Sequence, residues 1–519
     1  MKKLLLFLVL KIILGCSNDS LDIQEIPSTF DVTIVSNISI SSSIEWSRSF
    51  DPQGKQVKYN VFLEGNRVAD NLINRKFDFS PLNPNQQYSG SVVSFDVDGY
   101  SRETPFNFTT GGDLPPNEFE ITSTNIGIIE ATINWSKAKD PENEIVVYDL
   151  YINDVLIKTN NEYENYTFKD LTAATSYQLK IIAKDPLNNT RILIYDFDTQ
   201  DGIYRNDLNL VSQASVDNFG KLGYVRINGY LNIGGVATNS NITDLSPLKS
   251  LKKVDEYIHI SFVDELTSLQ GLGLESIGGG FTIRQNNGLQ NLKGLEKLKE
   301  VFGLFLIEQN YDLLEISSLN NLEILGNGLK IENNTSLKKV EGFNNVIQME
   351  LANFKANWEL KEVSGFNKVK KIERNVTFYK NPVLQTITGF SSLKDVDVMQ
   401  VFETLIDNVD FLSSIEYVRS ELQLSGNQNL LNINSLSSLK EITYGNLIIS
   451  TNKKITNVNS LYNLKSIGRG LSIYNNESLS DFCGLKSLTE NISSTTSIQI
   501  ILNAYNPTIN DIANGNCSQ

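Results

Sequence analysis

The chain has 519 residues, 40% apolar and 20% charged, which is long enough for several folded domains and too apolar for wholesale disorder. Sixty acidic against 45 basic residues leave a net charge of −15, a surface that repels phosphate backbones and argues against a nucleic-acid partner. A single histidine, His259, and only three cysteines leave little room for His-centred catalysis, His-ligated zinc or an iron–sulfur cluster. The chain opens on Lys2 and Lys3, then an apolar run from Leu4 to Leu14 broken by Lys11. That run is too short to span a bilayer stably, and it ends in Ile13-Leu14-Gly15-Cys16.

This stretch resembles a bacterial lipoprotein signal with its lipobox. The resemblance implies loss of residues 1–15, lipidation of Cys16, and a near-permanent anchor of three acyl chains. The plainer alternative is a secretory signal with an incidental cysteine. Ser17 after the cysteine, rather than Asp, implies by the same resemblance the outer membrane, and Asp19 and Asp22 form a weak tag for outward display. Residues 16–27 read as a tether.

Next comes a duplication. Trp46, Asp51, Pro52, Tyr59, Tyr88 and Phe108 recur as Trp135, Asp140, Pro141, Tyr148, Tyr177 and Phe197, each pair at one constant offset of 89 residues. Short alternating runs such as VKYNVFL (57–63) and VYDLYI (147–152), broken by Gly, Pro, Asn and Asp turns, predict two antiparallel β-sandwiches. The segments ending in Tyr88 and Tyr177 resemble the tyrosine corner of fibronectin type III domains, and Trp46 and Trp135 resemble that family's core tryptophan. The resemblance covers residues 28–112 and 113–201 and implies spacer or adhesion modules. The paired Asp51 and Asp140, with Asp96, Asp98 and Asp185 as further oxygens, are weak calcium candidates; an Asp-Pro pair more commonly just initiates a turn.

From about residue 222 an apolar-x-apolar strand leads repeatedly to an Asn and then to apolar residues at three-residue steps. The Asn position recurs at 239, 286, 310, 334, 357, 381, 427, 452 and 476, with Val263 and Thr404 substituted, at intervals of 23 to 25. Eleven coils of one solenoid follow, each burying its apolar residues only against its neighbours. In register, the asparagines would form a ladder, and Gly229, Gly280, Gly303, Gly328 and Gly470 before the strands suit positive φ. The repeat resembles the receptor L domain, which implies a right-handed β-helix; a leucine-rich-repeat horseshoe is the alternative. Three-residue steps after the Asn (Asn286 to Leu289, Asn334 to Leu337) favour three short sides, and Gln213 to Phe219 reads as a short capping helix. The fold class is therefore all-β: two sandwiches, then a solenoid over 202–519.

With Cys16 lipidated, Cys483 and Cys517 remain, both near the solenoid's far end. An exported protein permits a disulfide there; two unpaired buried thiols are the alternative. The run Ile498 to Leu502 is expected to fold back over the last coil.

The chemistry is sparse. Two residues before the Asn position stand Arg284, Glu308, Glu332, Lys355, Tyr379, Ser425, Ser450 and Tyr474, expected to form one exposed column at ~4.8 Å spacing. Glu308 beside Glu332 invites comparison with a retaining glycosidase pair, but Arg284 and Lys355 flank them and point to a self-neutralising ladder. His259 is expected to face solvent. Tyr311, Trp358, Tyr379 and Tyr474 are candidate ligand-binding aromatics. The resulting expectation is a non-enzymatic, lipid-anchored surface binding or adhesion protein. It needs no cofactor and no metal, and its unidentified partner is a protein or glycan. The alternative is a carboxylate-dependent polysaccharide-degrading β-helix enzyme.

Overall fold

The computed structural model describes residues 26–235, 240–493 and 495–519; the signal segment, Cys16 and the Asn239 position lie outside them. In the first sandwich the strands are β1 (Val32–Asn37), β2 (Ser42–Trp46), β3 (Lys58–Leu63), β4 (Asn66–Leu72), β5 (Lys76–Phe79), β6 (Gln87–Phe95) and β7 (Ser101–Thr109). They form a three-stranded sheet β1-β2-β5 and a four-stranded sheet β4-β3-β6-β7. The alternation of VKYNVFL has its physical outcome here: Tyr59 and Val61 are buried with Trp46, Ile44, Phe79 and Phe108, while their neighbours face outward. The Tyr88 hydroxyl accepts the backbone N–H of Asn83 at 2.9 Å, so the ring fills the core and its polar end is satisfied by the turn.

The second sandwich repeats this plan with β8 (Ile121–Ile126), β9 (Ala131–Trp135), β10 (Val147–Ile152), β11 (Val155–Asn161), β12 (Asn165–Phe168), β13 (Ser176–Lys184) and β14 (Thr190–Asp198), in sheets β12-β9-β8 and β11-β10-β13-β14. The constant offset survives at atomic detail: Ser49 N–H donates to the Tyr59 hydroxyl at 2.9 Å, and Ala138 N–H to the Tyr148 hydroxyl at 3.0 Å.

The remainder is built of parallel sheets, as a solenoid requires. A 15-stranded sheet, a seven-stranded sheet and a four-stranded sheet run along it, which fits a solenoid-like region. One inner column runs Ile283, Ile307, Ile331, Phe354 and Phe378, register-paired and fully buried. Phenylalanines stack in a second column, Phe343 on Phe366 at 4.7 Å and Phe366 on Phe390 at 4.8 Å. The helix over Gln213–Gly220 forms as expected, capped by Ser212, with Val216 and Phe219 buried.

The asparagine ladder is present. Asn334, wholly buried, donates to the Ile307 carbonyl at 2.9 Å and accepts the backbone N–H of Asn310 at 3.0 Å on its side-chain oxygen. Thr404 joins the rail on one side, donating its hydroxyl to the Asn427 oxygen at 2.7 Å.

One expectation is corrected. Among the glycines expected at positive φ, Gly328 alone has it; at Gly303 the constraint is instead close approach, since a Cβ would lie 2.5 Å from the Gly280 nitrogen. The left-handed backbone belongs to the residue just before each rail position: Phe262, Gln285, Gln309, Asn333, Ala356, Lys380, Glu403, Gly426, Thr451, Asn475 and Leu502. Ser497–Ile501 covers the end of the core, with Ile500 in it and Ile498 against it, as one more strand paired in parallel with Gly470–Tyr474, and Asn503 extends the rail by accepting from Asn476 at 2.9 Å. A backbone already in strand geometry completes its ladder more cheaply than a loop covers it. Cys483 and Cys517 form the disulfide.

Candidate functional site

The column two residues before the rail is in exact strand register: Ser261, Arg284, Glu308, Glu332, Lys355, Tyr379, Phe402, Ser425, Ser450, Tyr474 and Ile501. Arg284 approaches Glu308 at 3.5 Å, and the Lys355 and Lys380 ammonium groups lie 5.9 and 5.1 Å from the Tyr379 ring. Opposite charges one coil apart offset each other here, at little net stability because the groups are partly hydrated. The column is less exposed than the alternation implies. Tyr379 and Tyr474 are half-buried, and Ser450 is buried against Ser425, their hydroxyls 2.8 Å apart. Arg284 and Lys355 stay exposed, whereas Tyr379 is partly covered by Phe402 of the next coil, their rings 5.7 Å apart, an effect a single strand's alternation does not reveal.

Tyr311 and Trp358 are 46% and 52% exposed, each following its rail asparagine, so they lie on a different strip from Tyr379 and Tyr474. The four aromatics therefore do not form one cluster. His259 is a further correction: it pairs in register with Asn232 and Thr282, is only half-exposed, and its Nε2 is buried without a hydrogen-bond partner. Burial, with the nearby Arg284 charge, holds the imidazole below its usual range.

One feature escaped the sequence reading. The four-stranded side ends at Thr386–Ile387, and the next coil turns there through a 3₁₀ segment, Asp410–Leu412. The mismatch leaves a groove of about 560 Å³ lined by Thr386, Ile387, Leu405, Asp407, Asp410 and Lys454 among others. The signal was available: Asn408, Asn432, Asn457 and Asp481 stand where strand-forming coils carry Glu315, Lys339, Glu362 and Thr386. Each of the four accepts the N–H two residues on, for example Asp410 N–H to Asn408 at 2.9 Å, which folds the chain into a turn.

Asp51, Asp96, Asp140 and Asp185 are all buried at turns of the sandwiches, and each accepts backbone N–H groups from the residues that follow. The turn role read from Asp-Pro is thus present at both sites.

No family model and no curated protein matches the chain. Among solved structures, the chain is similar to a two-domain fibronectin type III segment of chicken tenascin at 13% identity, covering 33% of this chain and 99% of that one, with a TM-score of 0.21. It is similar to fibronectin(III)-like modules of Clostridium thermocellum CbhA at 14% identity over 33% of this chain and 94% of that one, TM-score 0.16. It is also similar to the central fibronectin-III array of RIM-binding protein, at 18% identity over 34% of this chain and 70% of that one, TM-score 0.15. The sandwich architecture itself rests on the three-plus-four strand order and the duplicated core.

Proposed function

We propose that the protein is a non-enzymatic, lipid-anchored binding or adhesion protein of the bacterial outer-membrane surface. In this reading two fibronectin type III-like modules precede a receptor L-domain-like right-handed β-helix that presents the ligand face. The observation that carries it is the column from Ser261 to Ile501, an unbroken register of side chains suited to an extended or repetitive protein or glycan ligand. Exposed Tyr311 and Trp358 add contact area on the neighbouring strip.

A glycan array read alongside reducing-sugar release on the same glycans tests this. Binding without turnover is expected, and Tyr311→Ala with Trp358→Ala should weaken it. Turnover abolished by Glu308→Gln or Glu332→Gln would overturn the reading in favour of a carboxylate hydrolase. The anchor has its own test: Cys16→Ser should move the protein out of the membrane fraction, and retention after a salt wash would refute lipidation.

A further inference from the structure

The duplication supplies an internal control for a second site. In both sandwiches two aspartates 45 residues apart in sequence are buried at turns: Asp51 and Asp96 in the first, Asp140 and Asp185 in the second. In each turn one carboxylate oxygen is held by backbone, Asp51 by Gln53 and Lys55 N–H at 2.8 and 2.9 Å, Asp140 by Glu142 and Glu144 N–H at 2.8 and 3.2 Å. The first sandwich neutralises its acids internally. Lys55 pairs with Asp98 and also feels the charges of Asp51 and Asp96.

At the same offset the second sandwich reverses that chemistry. Lys55 is replaced by Glu144, Gln53 by Glu142, and Asp98 by Leu187, while Asp113 joins from the segment between β7 and β8. Asp113, Glu142 and Glu144 all feel the charge of Asp140, and Asp113 and Glu144 that of Asp185 as well. Among the described residues, none of these five acids has an ion pair with Lys or Arg. Three of their oxygens, Asp113 Oδ1, Asp140 Oδ2 and Glu142 Oε2, are buried without any hydrogen-bond partner. Asp140 and Glu142 are only 5% and 8% exposed. The other oxygen of each group is engaged: Asp113 Oδ2 accepts from the Asn189 amide at 2.5 Å, an amide that also donates to Asp185 at 2.9 Å, and Glu142 Oε1 accepts the Ser39 hydroxyl. Asp113, Asp140 and Glu142 are thus each held by one oxygen and keep the other buried without a donor.

We propose that these acids bind a divalent cation, Ca²⁺ by its chemistry, through Asp113, Asp140 and Glu142. Buried carboxylate oxygens without donors require a counter-charge, and an all-oxygen donor set of irregular shape suits Ca²⁺ rather than Zn²⁺ or the strictly octahedral Mg²⁺. Among the described residues no three such groups already ring one point. Repelling carboxylates splay apart, and a cation draws them together. Because Ser39 belongs to the first sandwich and Asp140 to the second, the ion would stiffen the junction between them.

The test is calorimetric titration of the EDTA-washed full chain with CaCl₂ and MgCl₂, with melting curves in both. One saturable Ca²⁺ site and a Ca²⁺-dependent rise in Tm are expected, with Mg²⁺ weaker. Glu142→Gln and Asp113→Asn should weaken Ca²⁺ at least about tenfold, since affinity follows ligand charge. Glu144→Lys, at an exposed position, restores the first sandwich's cation and should abolish binding without lowering the Tm measured in EDTA. No heat and no Tm shift in the native protein would overturn the proposal, as would undiminished binding by folded Glu144→Lys; the acids would then be relieved by protons instead.

Discussion

At the residue scale the rail asparagines concentrate the most interaction in the least volume. Asn334 has both amide hydrogens and its oxygen occupied in a fully buried site, including Asn357 at 3.3 Å and the Glu332 carbonyl at 3.1 Å. Asn334→Ala strands the Asn310 N–H and the Ile307 carbonyl, at roughly 1–3 kcal/mol for each buried group left unpaired. Asn334→Thr should cost less, because a threonine hydroxyl can still donate to the next rail position, as Thr404 does to Asn427. Urea denaturation of the two variants should rank them Ala below Thr below native. His259 makes a pH prediction. Its folded imidazole resists the proton that the unfolded chain accepts near pH ~6.5, so below that pH the unfolded state binds more protons and stability falls as pH drops. Above the unfolded value the contribution is level. His259→Gln should remove this part of the acid-side slope, which thermal melts between pH 5 and pH 8 would read.

At the element scale the period was legible because it rests on core spacing, and the rail was legible because asparagine recurs where each coil turns. The left-handed residue before it was not legible: it is Gln285, Lys380 or Glu403 as readily as Gly426, so no residue type marks it. A left-handed non-glycine residue costs ~1–2 kcal/mol, and the rail bonds that follow it offset the strain. The far end was half legible. Two cysteines near one end point to the bond that forms, but the last coil is lengthened, with Asn503 27 residues after Asn476, so the strand Ser497–Ile501 falls outside the period. A strand paired on one side, closed by a disulfide across 34 residues, depends on that bond: the chain-entropy model assigns it about 3–4 kcal/mol. Reduction should therefore raise hydrogen exchange in residues 470–519 and leave β1–β14 unchanged. Equal protection with and without reductant would show that strand pairing alone holds the end.

At the scale of the whole molecule, the chain combines two ways of building a core. Each sandwich closes a small core between its own two sheets around Trp46 or Trp135, so its composition and alternation announce it locally. The solenoid shares one continuous core from Leu208 to Cys517, in which every coil is a wall for the next. That difference explains why the column before the rail was only partly legible. The identity of each column residue is fixed by its own coil, but its exposure is set by the side chains one coil up and down, as with Tyr379 against Phe402. It also dictates how the molecule should fail. Phe366 lies mid-stack, wholly buried and packed on both Phe343 and Phe390. Phe366→Ala should cost about 3–5 kcal/mol and remove packing from two coil interfaces at once. Ile500→Ala, in the last strand with a neighbour on one side only, should cost less. Because coupling runs through nearest neighbours, loss of protection in Phe366→Ala should centre on residues 343–390 and spread outward along the solenoid, splitting its unfolding into unequal parts. Hydrogen exchange across a denaturant series would show this directly. A single transition shifted uniformly from end to end would instead mean that the coils are coupled more strongly than adjacent contact provides.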